Sequence, residues 1–336
     1  MRAMILAAGL GTRLRPITHA MPKPMVPVLN RPVMEHIVRL LVGNGFTVAI
    51  ANLHWFPETI EGHFGDGSGL GIDLSYSREE QLLGTSGGVR NAAGFLGDSF
   101  LVISGDALTD IDLRAMAEFH GSHDGIATLA TKRVADTSQF GVAITDEDGR
   151  IQGFQEKPPP AEALSDLANC GIYMFRSAIF DYFPEPGTSK AASAEDPAGF
   201  ADWAMDVFPA LLEGDVPFYS HEIDRYWNDI GNLDELRQGN IDALLGAVSV
   251  DPGADRVEEE VWSATPLDGA DVDGPALLGS GVEIGEGARV EGPAVVGDGC
   301  RIGAGAVVRD AILLEGAEVP PQGMLVGGIA ARITPA

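Results

Sequence analysis

Two interlocked columns of apolar residues near the end of the chain restrict its fold more than any other feature. Leu278, Ile284, Val290, Val296, Ile302, Val308 and Leu314 recur every six residues, and Ala276, Val282, Ala288, Ala294, Cys300, Ala306 and Ile312 keep the same period two places earlier. A constant six-residue register fits a parallel β-helix, in which each hexad is one face of a prism filled by stacked aliphatic side chains. Gly279, Gly285, Gly297 and Gly303 directly follow the aliphatic column, as tight corners require. The hexads amount to about two to three coils, so the stack needs caps or a partner chain over its ends.

The preceding residues have another texture. Met1 to about Leu245 alternates short apolar runs with amphipathic stretches, the pattern of a mostly parallel sheet covered by helices. Met4–Ala8, Phe46–Leu53, Ile72–Ser77, Phe100–Ser104, Ala127–Lys132, Phe140–Thr145, Ile151–Gln155 and Cys170–Phe175 are the expected strands, and Leu113–His120 and Trp203–Leu212 expected helices. A further helix is expected with Asn30 as its cap, Pro32 in its first turn, Val33, Ile37, Leu40 and Leu41 on one face, and Gly43 and Gly45 at its end. Val250–Val261 is polar, carries Pro252, Gly253 and a Glu258-Glu259-Glu260 run, and reads as a linker. The expected organisation is an α/β, Rossmann-like doubly wound domain over 1–245, a linker over 246–262 and a β-helix over 263–336. A chain of 336 residues exceeds the roughly 250 that one core supports, which agrees with two domains.

Charge narrows the partners. Lys plus Arg number 22 against 49 Asp plus Glu, a net charge of -27, which argues against nucleic acid and against an anionic membrane surface. Yet Met1 to Met34 holds no acidic residue, while Arg2, Arg13, Arg15, Lys23 and Arg31 supply five positive charges. A basic island in an acidic chain suggests a bound anion. Cys170 and Cys300 stand far apart in apolar contexts and suggest neither a disulfide framework nor a zinc site. Ala3–Leu10 is followed by Gly11-Thr12-Arg13-Leu14-Arg15-Pro16 rather than a cleavage site, and no apolar run reaches the roughly 18 residues of a membrane span. A soluble, cytoplasmic protein is expected.

The basic island contains the strongest local signal. Leu6-Ala7-Ala8-Gly9-Leu10-Gly11-Thr12-Arg13-Leu14-Arg15-Pro16 sets two glycines directly after a strand, where backbone N–H groups can approach a phosphate. Leu14 stands where a third glycine would complete a dinucleotide fingerprint, and no GxxxxGK[ST] string occurs, so neither of those motifs is met. Pro22-Lys23-Pro24 follows. Phe100–Ser104 runs into Gly105-Asp106, which puts a carboxylate at the carboxyl end of a buried strand, where ligands of open α/β sheets bind. Three further strings are Phe154-Gln155-Glu156-Lys157-Pro158, Asn169-Cys170-Gly171-Ile172-Tyr173 and Tyr226-Trp227-Asn228-Asp229-Ile230-Gly231.

In order and spacing these strings resemble the motifs of sugar-phosphate nucleotidyltransferases, over essentially Met1–Leu245. The hexads resemble left-handed β-helix domains. By that resemblance Leu6, Ala8, Gly9, Gly11, Thr12, Arg13 and Lys23 would bind the triphosphate, with Arg13 on the β- and γ-phosphates and Lys23 bridging leaving pyrophosphate and reacting phosphate. Asp106 and Asp229 would hold Mg²⁺, Glu156 would contact sugar hydroxyls, Lys157 the sugar phosphate, and Gly141 and Asn169 would line the same pocket. Leu83-Gly84-Thr85-Ser86-Gly87-Gly88 resembles the base-recognition loop of mannose-1-phosphate guanylyltransferases, in which small residues let backbone groups reach a base edge, and assigns Gly84 and Thr85 to the nucleotide. Arg13, Lys23, Asp106, Lys157 and Asp229 form the expected catalytic set.

The resemblance implies in-line attack by a sugar-1-phosphate oxygen on the α-phosphorus of a nucleoside triphosphate. That phosphate is largely anionic at neutral pH, its second pKa lying near about 6, and needs no general base. GTP and mannose-1-phosphate are the expected pair; glucose-1-phosphate with UTP or dTTP, ATP as donor, and guanylyl transfer to a heptose or cyclitol phosphate are the alternatives. Two rivals differ in class. Acyl transfer would use a histidine in the β-helix, but the last histidine is His221. A non-catalytic sugar-nucleotide-binding subunit would be free to lose the charged set that this chain keeps. The β-helix is expected to assemble the protein as a homo-oligomer.

Overall fold

The computed structural model describes residues 1–332. Contacts divide it into two compact units: one of Met1–Leu10, Ile37–Ala107 and Ile111–Trp227, the other of Gly11–His36, Leu108–Asp110 and the chain from Asn228 onward. This grouping places the segment after the first glycine loop, and the helix Leu233–Leu244, with the hexads rather than with the rest of 1–245.

In the first unit, strand Arg2–Leu6 is central. It pairs in parallel with Val48–Leu53 on one side and Ser99–Ser104 on the other, and Val48–Leu53 pairs in parallel with Asp73–Arg78. Beyond Ser99–Ser104 the sheet turns mixed: Leu167–Arg176 runs antiparallel to it, to Ala127–Arg133 and to Gly141–Thr145. Ala3, Met4 and Ile5, and Phe100 through Ile103, have no exposed surface, as expected of strands covered on both faces. Phe100, Tyr173, Phe175, Trp203, Phe208 and Phe218 fill one side of this sheet with ring-on-ring contacts.

Several boundaries differ from the expected ones for local reasons. The first strand stops at Leu6, because the Ala7 N–H leaves the ladder for the side chain of Asn52. The helix expected at Trp203 opens with a widened turn, Trp203–Val207, in which the Val207 N–H reaches the Asp202 carbonyl. Pro209 lacks the donor that would reach back to Met205, and regular helix runs only over Phe208–Glu213.

In the second unit Asn30 is not a helix cap. Pro27–Val28 and Arg31–Pro32 form a hairpin whose two turn residues, Leu29 and Asn30, have φ of 49° and 62°. Asn tolerates that left-handed region, and two positive φ values in a two-residue turn suit the twist of a hairpin. The helix begins only at Val33 and ends, as expected, at Gly43. Asn240 staples the hairpin to helix Leu233–Leu244: its Oδ1 accepts the Leu29 N–H and its Nδ2 donates to the Pro27 carbonyl.

The hexads form a parallel β-helix with 18 residues per coil, as in the pairing of Ala276 with Ala294. Both columns of the expected register slip by one place at the last hexad. The interior is filled by Ala276, Leu278, Val282, Ala288, Val290, Ala294, Val296, Cys300, Ile302, Ala306 and Val308, then by Ala311 and Leu313 in place of the expected Ile312 and Leu314. Asp310, at φ 49°, marks the shortened hexad. Outward-facing Leu277, Val295 and Ile312 pair across three coils and are buried as well, each 1% exposed; helix Leu233–Leu244 packs on the strands of Val295 and Ile312. At Gly297 a Cβ would lie 2.6 Å from the Glu315 nitrogen of the next coil, which explains the glycine column by close approach. Within the expected linker, Asp255–Glu258 pairs with Val261–Ser263, and the latter is the first rung beside Ala276–Leu278. Val261, 1% exposed, anchors that rung in the core. Among the described residues no helix is long and apolar enough to cross a membrane.

Candidate active site

Arg13, Lys23 and Asp229 lie together in the second unit. Gly11, at φ 61°, caps the short turn Thr12–Leu14 that carries Arg13. Its missing side chain also admits Lys23, whose Cβ would lie 2.8 Å from a Cβ at position 11. The Thr18 hydroxyl donates to the Gly11 carbonyl at 2.8 Å and pins the loop. Lys23 Nζ donates to the Asp229 carbonyl oxygen at 3.2 Å. Both carboxylate oxygens of Asp229 and a guanidinium nitrogen of Arg13 come within 3.1 to 3.3 Å of the point where a Cβ on Gly231 would stand, so that glycine keeps the space open. Leu6, Ala8 and Gly9 belong to the first unit, and Gly11, Thr12, Arg13 and Lys23 to the second.

The backbone around Asp229 is strained. Ile230 is β-branched and has φ 41°, a conformation costing of order 1–3 kcal/mol. The Asn228 side chain accepts the Ile230 N–H at 2.9 Å and holds the turn. Glu235, which no motif singled out, is the nearest missed group: burial first and the Asp229 carboxylate second push its carboxyl above the usual range, and Arg13 opposes this. Its sequence signal is the Asn232-x-x-Glu235 spacing of a capping box, and Asn232 does accept the Glu235 N–H at 2.9 Å.

In the first unit the expected residues sit at strand ends. Asp106 is half-buried just after Ser99–Ser104, where the Gly105 N–H donates to the Leu6 carbonyl at 2.8 Å. Gly141 pairs with Glu156 across an antiparallel ladder, and a Cβ on Gly141 would lie 3.0 Å from Glu156 Oε2. Lys157 Nζ lies 3.3 Å from Glu156 Oε1, and both side chains are exposed. Asn169 sits at an irregularity of Leu167–Arg176: its Oδ1 accepts the Gly171 N–H and its Nδ2 donates to the Tyr173 hydroxyl. Trp227 fastens this bulge by donating its indole N–H to the Cys170 carbonyl at 3.0 Å.

Gly84 and Thr85 start helix Gly84–Asn91, and their surroundings differ from the expectation of backbone groups left for a base. The Ser86 and Gly87 N–H groups both donate to the Ala201 carbonyl, and the Thr85 hydroxyl donates to Asp202 Oδ2 at 2.7 Å. A Cβ on Gly84 would lie 2.4 Å from that same carbonyl, so the glycine serves the approach of the 199–203 segment.

Asp106 and Asp229 are oxygen donors, and among the described residues no three His, Cys, Asp or Glu side chains gather as a metal cage. Oxygen donors are the kind that Mg²⁺ takes, and it needs only one or two protein carboxylates when substrate phosphates complete its shell.

Comparison with known proteins adds the following. A family model described as Nucleotidyl transferase matches residues 2–244, and one described as Bacterial transferase hexapeptide (six repeats) matches residues 275–310. A UTP–glucose-1-phosphate uridylyltransferase of Synechocystis is 36% identical over 97% of this chain and 86% of its own length. A mannose-1-phosphate guanylyltransferase of Mycobacterium tuberculosis is also 36% identical, over 84% of this chain and 76% of its own. A crystal structure of a Bacillus anthracis protein assigned as a glucose-1-phosphate thymidylyltransferase, in complex with a sucrose, matches with TM-score 0.63 at 27% identity, covering 75% of this chain and 96% of that one.

Proposed function

The chain belongs to the nucleotidyl transferase family, and from that premise we propose that it transfers a nucleotidyl group from a nucleoside triphosphate, GTP by preference, to a sugar-1-phosphate, mannose-1-phosphate by preference. The observation that carries this reading is the convergence of Arg13, Lys23 and Asp229 around Gly231, two cations and a carboxylate on glycine-rich turns. The residues matched by the nucleotidyl transferase family include every residue assigned below.

In the proposed reaction a sugar-phosphate oxygen attacks the α-phosphorus, the bond from that phosphorus to the bridging oxygen breaks, and pyrophosphate leaves. Arg13 and Lys23 hold the triphosphate and offset the charge gathering on the leaving group; Lys157 holds the sugar phosphate, and Glu156, Asn169 and Gly141 orient the sugar. Leu6, Ala8, Gly9, Gly11 and Thr12 offer backbone to the phosphates, and Gly84 and Thr85 border the base. Asp106 and Asp229 would hold Mg²⁺, which when bound neutralises phosphate charge. No residue acts as a general base, because the attacking phosphate is already anionic. We assign catalysis to 1–245, a cytoplasmic location to the protein, and assembly of identical chains to the β-helix.

The test is pyrophosphate release by purified protein with Mg²⁺, crossing GTP, UTP, dTTP, ATP and CTP with mannose- and glucose-1-phosphate. Release that needs both substrates is expected, fastest with GTP and mannose-1-phosphate. A uridylyl or thymidylyl preference for glucose-1-phosphate would replace the substrate assignment. Binding of sugar nucleotide without release from any pair would replace catalysis with a regulatory role.

A further inference from the structure

Two loops assigned above to the nucleotide, Leu6–Gly9 and Leu83–Thr85, are joined by a buried polar pair that the motifs do not include. Asn52 is the penultimate residue of strand Val48–Leu53 and Glu79 directly follows strand Asp73–Arg78; they are 3% and 7% exposed. Asn52 Oδ1 accepts the Ala7 N–H at 2.9 Å, Asn52 Nδ2 donates to Glu79 Oε1 at 2.8 Å, and Glu79 Oε2 accepts the Leu83 N–H at 3.0 Å. Helix Gly84–Asn91 rests on the pair, since a Cβ on Gly88 would lie 2.6 Å from both Asn52 Nδ2 and Glu79 Oε1.

A buried carboxylate is an expensive way to fill volume, and burial accordingly pushes the Glu79 carboxyl above its ordinary range. Two apolar side chains would pack there without that cost. What they could not do is accept two backbone N–H groups belonging to separate loops. We propose that Asn52 and Glu79 are a positioning pair that fixes the spacing of the loop after the first strand and the loop before Gly84, and so sets the affinity of the site for nucleoside triphosphate. The proposal rests on the nucleotide reading of those loops.

The polarity of the chain of bonds is fixed at both ends, which makes it testable. Because both ends are backbone donors, Asn52 must turn its oxygen to Ala7 and its amide to Glu79, and both oxygens of Glu79 must accept. Glu79→Gln would set an amide N–H₂ against a second donor. Asn52→Asp would set two carboxylates against each other. Combined, the two substitutions reverse only the middle bond: the new carboxylate accepts the Ala7 N–H and the new amide N–H₂, and the new amide oxygen accepts the Leu83 N–H.

Each single variant is expected to raise the KM for GTP about tenfold, with kcat and the KM for sugar phosphate within about twofold, and the double variant to return within about threefold of native. GTP titrated calorimetrically into the protein without sugar phosphate should follow the same order. A merely structural role would lower the melting temperature and move both KM values together, which would overturn the proposal. So would single variants whose KM for GTP stays within twofold, or a double variant no better than either single. Should a single variant fail to fold, the double variant decides, native-like affinity supporting the pair and a failure to fold overturning it. Native protein that binds none of the five nucleoside triphosphates would overturn the nucleotide reading itself and the proposal with it; native binding with unchanged variants overturns the pair alone.

Discussion

The two compact units hold their candidate residues in different ways. In the first, Asp106, Glu156 and Asn169 stand on or just past long strands, and the loops beside them are fixed by buried polar side chains such as Asn52, Glu79 and Trp227. In the second, Arg13 and Lys23 stand on short 3-10 turns, and Asp229 directly follows the two-residue strand Trp227–Asn228. The turn carrying Lys23 packs against the hairpin at Leu29–Asn30; Asn30 Nδ2 donates to the Val296 carbonyl of the hexads, and Arg31 pairs with Asp251 of the segment before them. Arg237, on the helix that staples the hairpin, pairs with Asp310. The difference teaches that in the second unit the segment carrying the cations is bonded to the β-helix itself, whereas in the first the loops are fixed from within the sheet.

The sharpest way to break this comparison is one substitution in each unit. Under the proposed roles, Asp106→Asn and Lys23→Ala are each expected to lower kcat at least about 100-fold without loss of fold, the first by weakening the hold on Mg²⁺ and the second by removing a cation that offsets charge on the leaving pyrophosphate. Circular dichroism and pyrophosphate release check this, and near-native turnover in either variant would remove that residue from the catalytic set. A smaller, more discriminating effect separates the substrates. Arg13→Ala should raise the KM for nucleotide about tenfold more than that for sugar phosphate, and Lys157→Ala should do the reverse. Equal shifts in both would dissolve the assignment of one cation to each substrate.

Support from the β-helix predicts an intermediate effect. Arg237 donates to the Asp310 carbonyl and pairs with its carboxylate at the position where the hexad register slips. Arg237→Met keeps the aliphatic stem and removes both contacts. The KM for nucleotide should rise about threefold while the KM for sugar phosphate stays put. A variant that melts earlier yet keeps both KM values would reduce the β-helix to a stabilising or assembling role.

Much of this architecture was legible because its signals are periodic or clustered. The hexads and the apolar strands announced themselves, and the glycine loops marked where charged residues would be presented. The hairpin at Leu29–Asn30 was misread because Asn serves equally as a helix cap and as a left-handed turn residue, and only the surrounding pairing decides. The slip at Asp310 was missed because Ala311-Ile312-Leu313-Leu314 is apolar at every place, so either register satisfies the pattern. Asn52 and Glu79 were invisible for an opposite reason: each is a lone polar residue in its own segment, and Glu79 lies in an Arg78-Glu79-Glu80 run that reads as a solvated face. Their meaning arises from partners 27 residues apart.

The smallest expected effect concerns pH. His123 Nδ1 accepts the Gly125 N–H, so its Nε2 carries the proton and donates to the Thr128 hydroxyl; that hydroxyl in turn donates to His120 Nδ1. His120 must therefore be neutral, with its Nε2–H buried and without a hydrogen-bond partner. Burial, then the neighbouring His123 and Arg176, lower its pKa from 6.5 to about 4, and burial lowers His123 and His221 as well. Between those pH values the unfolded chain binds the proton that the folded chain refuses, so the first unit should lose stability as pH falls from about 6.5 toward about 4, and show no contribution from this group at neutral pH. His120→Gln keeps an acceptor for Thr128 and removes the titration. Denaturant midpoints at pH 7 and pH 4.5 should differ less in the variant than in the native protein, the remaining slope belonging to His123, His221 and the carboxylates whose pKa the fold shifts. An unchanged slope would mean that His120 takes up its proton in the fold, and that the bonded chain through Thr128 rearranges to accept it.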